Sequence, residues 1–485
     1  MINLQCDLVV VGSGPSGLAA AISGAESGAS VIVLEKSNAT GGAANMGMGP
    51  FAAGTRIQRK NMISLTPDRA YRIFMDYTHY RTDARLVRSY IDKSADTIEW
   101  LQGMGVEFMG AMKYFPGSEA SWHIVKPEVG FPGPRCASTM IKRMTERANE
   151  LGIQFRFSTS ANEILKEGGR VVGVKAMTAD GEELVVNCKA TVIACGGYGN
   201  NPEMVKELLG YTLDVDIFPH RVPGIVGDGV KMAWAAGAAR GDMNMEITCK
   251  VHGLHECPMS DQLFRQPSAL CVDYLGYRVF NEEVMENTTF LGNAVARLKK
   301  RSAFAIIDTK ILKKWAKQGI DLPGPGPDLD FKQAEAMLNE MIENGLDTVF
   351  AADSLEELAD KIGVDKEQFL KTVEEYNECC DANEDFVLGK EHRYLTPICG
   401  PRYYAARFNP SAYGSLGGIK INHKTEAINE DWEPIPGLYA VGTDACSIYG
   451  DSYVFILPGN TMGFCLNSGR IAGENAAEYI FEEDK

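Results

Sequence analysis

The sequence has no C-x-x-C pair, no C-x-x-C-H and no paired Cys/His spacing among its 12 cysteines and 7 histidines. Those absences exclude a zinc knuckle, a c-type haem and a readable iron–sulfur ligand set, and no metal is expected. The vicinal Cys379-Cys380 and the other scattered cysteines read as small buried hydrophobes. No apolar run approaches the length that spans a bilayer, so no membrane span is expected. Met1–Asp7 lacks the basic start and apolar core of a signal peptide, and the expected location is the cytoplasm. Positive charge is short as well: 48 Lys and Arg against 64 Asp and Glu leave a net charge of −16. That balance argues against nucleic acid or an anionic membrane surface as a partner. What is there is a globular composition, 45% hydrophobic and 23% charged over 485 residues, enough for two or three cores.

The chain is organised around Asp7 to Gly47. Asp7–Val11 is a short apolar run of the kind that forms a strand buried on both faces. It ends in Gly12-Ser13-Gly14-Pro15-Ser16-Gly17, which fits G-x-G-x-x-G. Gly12 permits the tight turn, Gly14 lets backbone approach a pyrophosphate, and Gly17 lets the following helix pack on the strand. Leu18–Ser27 reads as that helix, its N-terminal amides facing the phosphates. Val31–Leu34 is a second buried strand, closed by Glu35, whose carboxylate suits two ribose hydroxyls. Strand, glycines, helix, strand and acid together indicate a dinucleotide site.

Thr40-Gly41-Gly42 with Ala43, Ala44 and Asn45 follows directly after Glu35-Lys36-Ser37. This pattern resembles the flavoproteins of the fumarate reductase, succinate dehydrogenase and 3-ketosteroid dehydrogenase superfamily. In that family the segment runs along the pyrophosphate and under the isoalloxazine ring, so the resemblance implies FAD. Residues 38–50 contain no His to carry a covalent flavin, and the resemblance therefore implies non-covalent FAD. Further segments resemble the family in order: Gly196-Gly197-Tyr198-Gly199 after the buried strand Thr191–Cys195, Gly227-Asp228-Gly229 opening a helix to Gly237, and Gly276-Tyr277-Arg278-Val279-Phe280-Asn281-Glu282. Ile435-Pro436-Gly437-Leu438-Tyr439-Ala440-Val441-Gly442 follows, then Pro458-Gly459-Asn460-Thr461-Met462-Gly463, opening a last helix whose dipole would favour an anionic reduced ring. The resemblance implies cofactor contacts from Gly12, Gly14, Ser16, Gly17, Glu35, Lys36, Thr40, Gly41, Gly42 and Ala43. It extends them to Ala161, Ala194, Gly196, Gly197, Asp228, Gly442, Asp444, Asn460, Thr461 and Met462.

The expected fold class is α/β with an α+β cap: a Rossmann-like FAD-binding domain (1–258 and 396–485) carrying an inserted capping domain (259–395). Asp68–Met104 reads as helical, Val106–Trp122 as an aromatic, Gly-rich loop, and Pro132-Gly133-Pro134 as a turn before a helix from Ala137 to Gly152. Phe155–Ser160 and Ala161–Lys166 read as strand and return, and Gly169–Lys175 with Glu183–Val186 as a hairpin around Asp180-Gly181. Pro323-Gly324-Pro325-Gly326-Pro327 is a turn cluster inside the insert, with helices expected at Ala334–Gly345, Ser354–Ile362 and Lys366–Cys379. Tyr403–Phe408 reads as a strand.

A flavin facing a closed pocket transfers hydride between N5 and a substrate carbon, while an acid delivers the proton. Where the family's fumarate reductases place the acid Arg, this chain has Glu286; where they bind carboxylate with Arg it has Ile456, and where a His precedes the T-M-G-G segment it has Tyr413-Gly414. Only the upstream Arg has a counterpart, Arg265 before Asp273. A dicarboxylate would lose charge-assisted bonds of roughly 1.5–3 kcal/mol each. Tyr413, Tyr449, Tyr453, Phe455 and Ile456, with Tyr114 and Phe115, instead suggest a flat, largely apolar substrate such as an enone, a ketosteroid or an isoflavonoid such as tetrahydrodaidzein. Candidate catalytic residues are Tyr114, Arg265, Glu286, Tyr413 and Tyr453. Each has a structural account too: Tyr114 packing beneath its loop, Tyr413 and Tyr453 flanking flavin segments, Arg265 on the surface, and Glu286 on a solvated face with Glu282 and Glu283. His123 and His252 are weaker candidates. No second G-x-G-x-x-G is present, so no dedicated NADH domain is expected, and the flavin is expected to take electrons from an external donor, a nicotinamide entering the same cleft being one route. Alternatives are a reductase of an unsaturated organic acid held by Arg265, and a flavoprotein subunit of an electron-transfer complex.

Overall fold

Leu8–Val11 is buried at every position because it is a central strand, hydrogen-bonded in parallel to Val31–Leu34 on one side and Ala190–Ile193 on the other. In the computed structural model, which describes residues 2–130, 133–220, 222–251, 262–322 and 331–482, these strands belong to a six-stranded sheet. Its order is Glu426–Ile428, Pro434–Ala440, Ala190–Ile193, Leu8–Val11, Val31–Leu34, Gln154–Arg156. All pairings are parallel except that of the edge strand Glu426–Ile428. The helix Pro15–Glu26, with Pro15 in its first turn, packs against the last helix, Asn460–Glu482. Glycines set their approach: a Cβ on Gly469 would lie 2.3 Å from the Ser16 carbonyl oxygen, and one on Gly473 2.4 Å from that of Ala20.

A four-stranded sheet of Ile2–Gln5, Glu183–Asn187, Arg170–Thr178 and Thr159–Glu167 lies beside it. The hairpin around Asp180-Gly181 forms as expected. A third sheet joins Asn244–Val251, Tyr403–Leu416, Ala303–Asp308 and Leu270–Val272, and Val349–Ala352 pairs with Tyr403–Leu416. It carries a second hydrophobic core that runs in sequence from Cys249 to Phe408 and includes Phe264, Trp315, Leu338, Phe369 and Tyr404.

Three expectations are corrected. Asp68–Met104 is two helices, Pro67–Tyr77 and Ala84–Gly103. His79 and Tyr80 adopt left-handed φ between them, and Asp83 caps the second helix, accepting from the backbone N–H groups of Arg85 and Leu86. Val106–Trp122 is not simply a loop, since Phe108–Met112 and Trp122–Val125 form an antiparallel hairpin. The strand expected at Tyr403–Phe408 continues to Leu416 through Gly414, 14 residues in all. Pro132, Pro323–Pro327 and His252 lie outside the described residues. Among the described residues no helix is long and apolar enough to cross a membrane.

Candidate active site

The glycine turn has one open edge and two crowded ones. Gly12 sits at φ 105°, and a Cβ there would fall 2.2 Å from the Ala194 carbonyl oxygen. One on Gly17 would fall 2.0 Å from the carbonyl oxygen of Gly12. A Cβ on Gly14 would meet nothing within 4 Å, so the bare backbone of this turn borders free space. The Gly41 N–H donates to the Ser13 carbonyl at 2.8 Å, and Gly42 lies against Gly14, its constructed Cβ 3.8 Å from the Gly14 Cα. The two glycine segments thus share one edge. Glu35 Oε2 accepts from the Ser13 N–H and hydroxyl, both at 2.8 Å, and Oε1 accepts from the Ser37 N–H. Lys36 pairs with Asp228 at 2.6 Å.

Asp444 is fully buried, and its carboxylate accepts from the Gly196 and Gly197 N–H groups at 2.8 and 3.1 Å. Burial pushes its carboxyl up to about 6 even against those donors. Gly442, at φ 60°, faces Ser16, whose hydroxyl oxygen would be 2.7 Å from a Cβ there. Ala194 and Gly442 therefore border the first turn, and Asp444 holds the Gly196-Gly197 segment that follows Ala194. Other cofactor candidates sit differently. Thr40 bonds Thr145 through its hydroxyl, Ala43 is exposed, and Ala161 pairs with Ala176 in the second sheet. The Asn460 side chain donates to the Val454 and Leu457 carbonyls and accepts from Tyr90, so it braces its own turn. Met462 packs over Gly47. A cradle with bare backbone at Gly14, an acid beside it and a helix starting at Pro15 fits a pyrophosphate-bearing dinucleotide.

The other wall is aromatic. Tyr114 lies 4.6 Å, ring centre to ring centre, from Phe455 and 5.5 Å from Trp122. Phe455 in turn lies 5.8 Å from both Phe115 and Tyr453. Tyr413 is exposed, stacked on His220 at 5.3 Å. The nearby Tyr114 hydroxyl holds the Tyr413 hydroxyl well above the ordinary tyrosine range, and Glu246 adds to this while Arg265 pulls it back. Tyr114, Arg265 and Tyr413 therefore come together. Tyr453 is buried and accepts from the Thr461 N–H at 3.2 Å, which ties it to the last helix. The Glu286 carboxylate accepts from the Gly117 N–H at 2.6 Å and so anchors the loop bearing Tyr114 and Phe115. His123 is buried between the Thr55 hydroxyl and the Ser121 carbonyl, and burial lowers its pKa to about 4. Sequence reasoning missed Glu246, 2% exposed and accepting from the Thr461 hydroxyl. The signal was one acid set between Met245 and Ile247 in the strand Asn244–Val251.

Cradle and second glycine segment are those of a flavin-binding protein, and similarity to known proteins makes the chain an FAD-dependent oxidoreductase. The chain belongs to the FAD binding domain family, whose profile matches residues 7–461. It is 31% identical to the vinyl phenol reductase of Lactiplantibacillus plantarum over 98% of this chain and 97% of that protein. It is also 31% identical to the NADH:fumarate oxidoreductase of Klebsiella pneumoniae, covering 97% of this chain but only 48% of that one. In fold it is similar to the 3-ketosteroid-Δ4-(5α)-dehydrogenase of Rhodococcus jostii RHA1 solved with 4-androstene-3,17-dione, at a TM-score of 0.77, 23% identity and 98% coverage of each chain.

Proposed function

We propose that this protein saturates the C=C bond of a small, flat, weakly charged compound in which the alkene is conjugated with a phenol or carbonyl oxygen. The observation that carries the reading is the Tyr114–Tyr413 pair beside Phe455 and Trp122, where a dicarboxylate enzyme would need guanidinium and imidazole groups. Non-covalently held FAD, reduced by an external donor, supplies the hydride. The Gly12–Gly17 turn, Glu35 and the start of the last helix hold that cofactor, and Asp444 keeps the Gly196-Gly197 loop in place.

The chain's own residues govern the proton. Tyr413 delivers its hydroxyl proton to the second alkene carbon, and the Arg265 charge stabilises the phenolate that forms. Tyr114 orients the Tyr413 hydroxyl. Phe455, Phe115 and Tyr453 exclude water and bury the apolar face of the substrate. The likeness to vinyl phenol reductase across both whole chains supports an aryl alkene, and the fold shared with the ketosteroid enzyme supports an enone.

Anaerobic reoxidation of the dithionite-reduced protein tests the reading. The expected oxidants are 4-vinylphenol, 4-androstene-3,17-dione or an isoflavonoid enone. Rapid reoxidation by fumarate, with none of these reacting, would overturn it and favour an organic acid held by Arg265.

A further inference from the structure

None of the steps above uses Glu246. Its placement comes from a β-bulge. Met245 pairs with Ser415 and Ile247 with Ala412, so Tyr413 and Gly414 together oppose Glu246. Such an irregularity re-aims the side chains beside it. Oε1 accepts from the Thr461 hydroxyl at the start of the last helix, and a Cβ on Gly414 would lie 3.8 Å from Oε2. The ionisable groups that face the carboxyl are Tyr413 from the opposite strand, Cys446, Tyr449 and Tyr453 from the following segment, and Cys465 from the last helix. All are neutral acids, and among the described residues no cation pairs with Glu246. Burial accordingly pushes its carboxyl up to about 8, and it stays protonated at neutral pH.

We propose that Glu246 is the proton store of this site, a role that rests on Tyr413 as the donor. Tyr413 breaks its O–H bond when it protonates the substrate carbon. Glu246 then breaks its own carboxyl O–H, the proton forms a new O–H on the Tyr413 phenolate across the bulge, and the carboxylate is reprotonated from solvent. No electrons move in the exchange. The transfer runs downhill because the carboxyl is the stronger acid of the two. A neutral Glu246 is also what lets the phenolate form, since an ionised carboxyl there would repel it.

The test compares wild type, Glu246→Gln, Glu246→Asp and Tyr413→Phe, with 4-vinylphenol or 4-androstene-3,17-dione as oxidant of the reduced flavin. Glu246→Gln is expected to lower kcat at least ~10-fold at unchanged KM and to abolish the alkaline limb near pH 8. Glu246→Asp is expected to restore that limb. A Glu246→Gln enzyme that keeps the wild-type rate, or one that slows but keeps the limb, overturns the proposal while leaving the donor untouched. A Tyr413→Phe enzyme at full rate sinks the donor assignment, and the store with it. Independently of activity and of how the variants fold, infrared titration of the wild-type apoprotein must reveal a carboxylic-acid carbonyl at neutral pH that disappears near pH 8. Its absence overturns the proposal.

Discussion

Tyr413 feels opposed influences, Tyr114 and Glu246 holding its proton on and Arg265 drawing it off. If it is the donor, Tyr413→Phe removes the transferred proton and leaves the flavin cradle intact. The expected outcome is a fall of ~100-fold or more in the rate of flavin reoxidation with FAD content unchanged, read by stopped-flow absorbance. Glu246 makes a second prediction through stability. Its folded-state pKa, about 8, lies above the ordinary 4.5, so the folded chain holds a proton that the unfolded chain has released. The stabilisation is fully present below about pH 4.5 and is lost as pH rises through 8. Glu246→Gln lacks that penalty and should melt above wild type at pH 9, by an amount on the order of 5 kcal/mol at most. The two should converge at pH 4. Melting curves at both pH values check this, and a gap that does not change with pH would contradict it.

At the scale of elements, the glycine turn and the aromatic set Tyr114, Phe115, Tyr453 and Phe455 were legible, and the strand pairing behind Tyr413 was not, for a physical reason. Gly12, Gly14, Gly17 and Glu35 lie within one strand–turn–helix–strand unit, so their spacing alone carries the shape of that turn. Crowding separates these glycines. Gly14 borders open space at φ −66°, whereas Gly17 abuts the Gly12 carbonyl. Gly14→Val should therefore fold with a normal apoprotein melting temperature yet fail to retain FAD, while Gly17→Ala should destabilise the apoprotein itself. Calorimetry of both apoproteins, with FAD titration, separates the two effects. The Glu246–Tyr413 juxtaposition was invisible because it depends on a bulge between strands distant in sequence. The Phe108–Val125 hairpin hid for a similar reason: Gly110 shifts its register, a long connection separates its strands, and Trp122 also bridges to Phe51. The break after Tyr77 did leave a trace, the Asp83 cap, which the continuing apolar periodicity on either side outweighed.

Across the whole molecule, two strands run from one hydrophobic core into the other. Met245 and Ile247 lie in the core beneath the cradle, and Cys249 and Val251 of the same strand lie in the second. Tyr403–Leu416 does the same in the opposite direction, with Tyr404 and Phe408 in the second core and Ala412 and Leu416 in the first. Their shared ladder is the backbone on which Tyr413 and Glu246 meet, so loss of the second core should reach the active site. A buried charge cluster offers a way to weaken that core alone. Glu282, fully buried, pairs with Arg278 at 2.7 Å and with the equally buried Lys390 at 2.8 Å, and Arg278 also reaches Asp385 at 2.8 Å. Glu282→Gln leaves two buried cations facing one carboxylate, a loss of roughly 3–5 kcal/mol for a broken buried pair. Because the ladder is continuous, the variant should lower the temperature of one common transition, with flavin release and loss of second-core structure falling together. Following flavin fluorescence and far-ultraviolet circular dichroism on the same ramp distinguishes the cases. An early transition of the second core that leaves the flavin bound would mean that the two cores unfold independently and that the shared strands do not couple them.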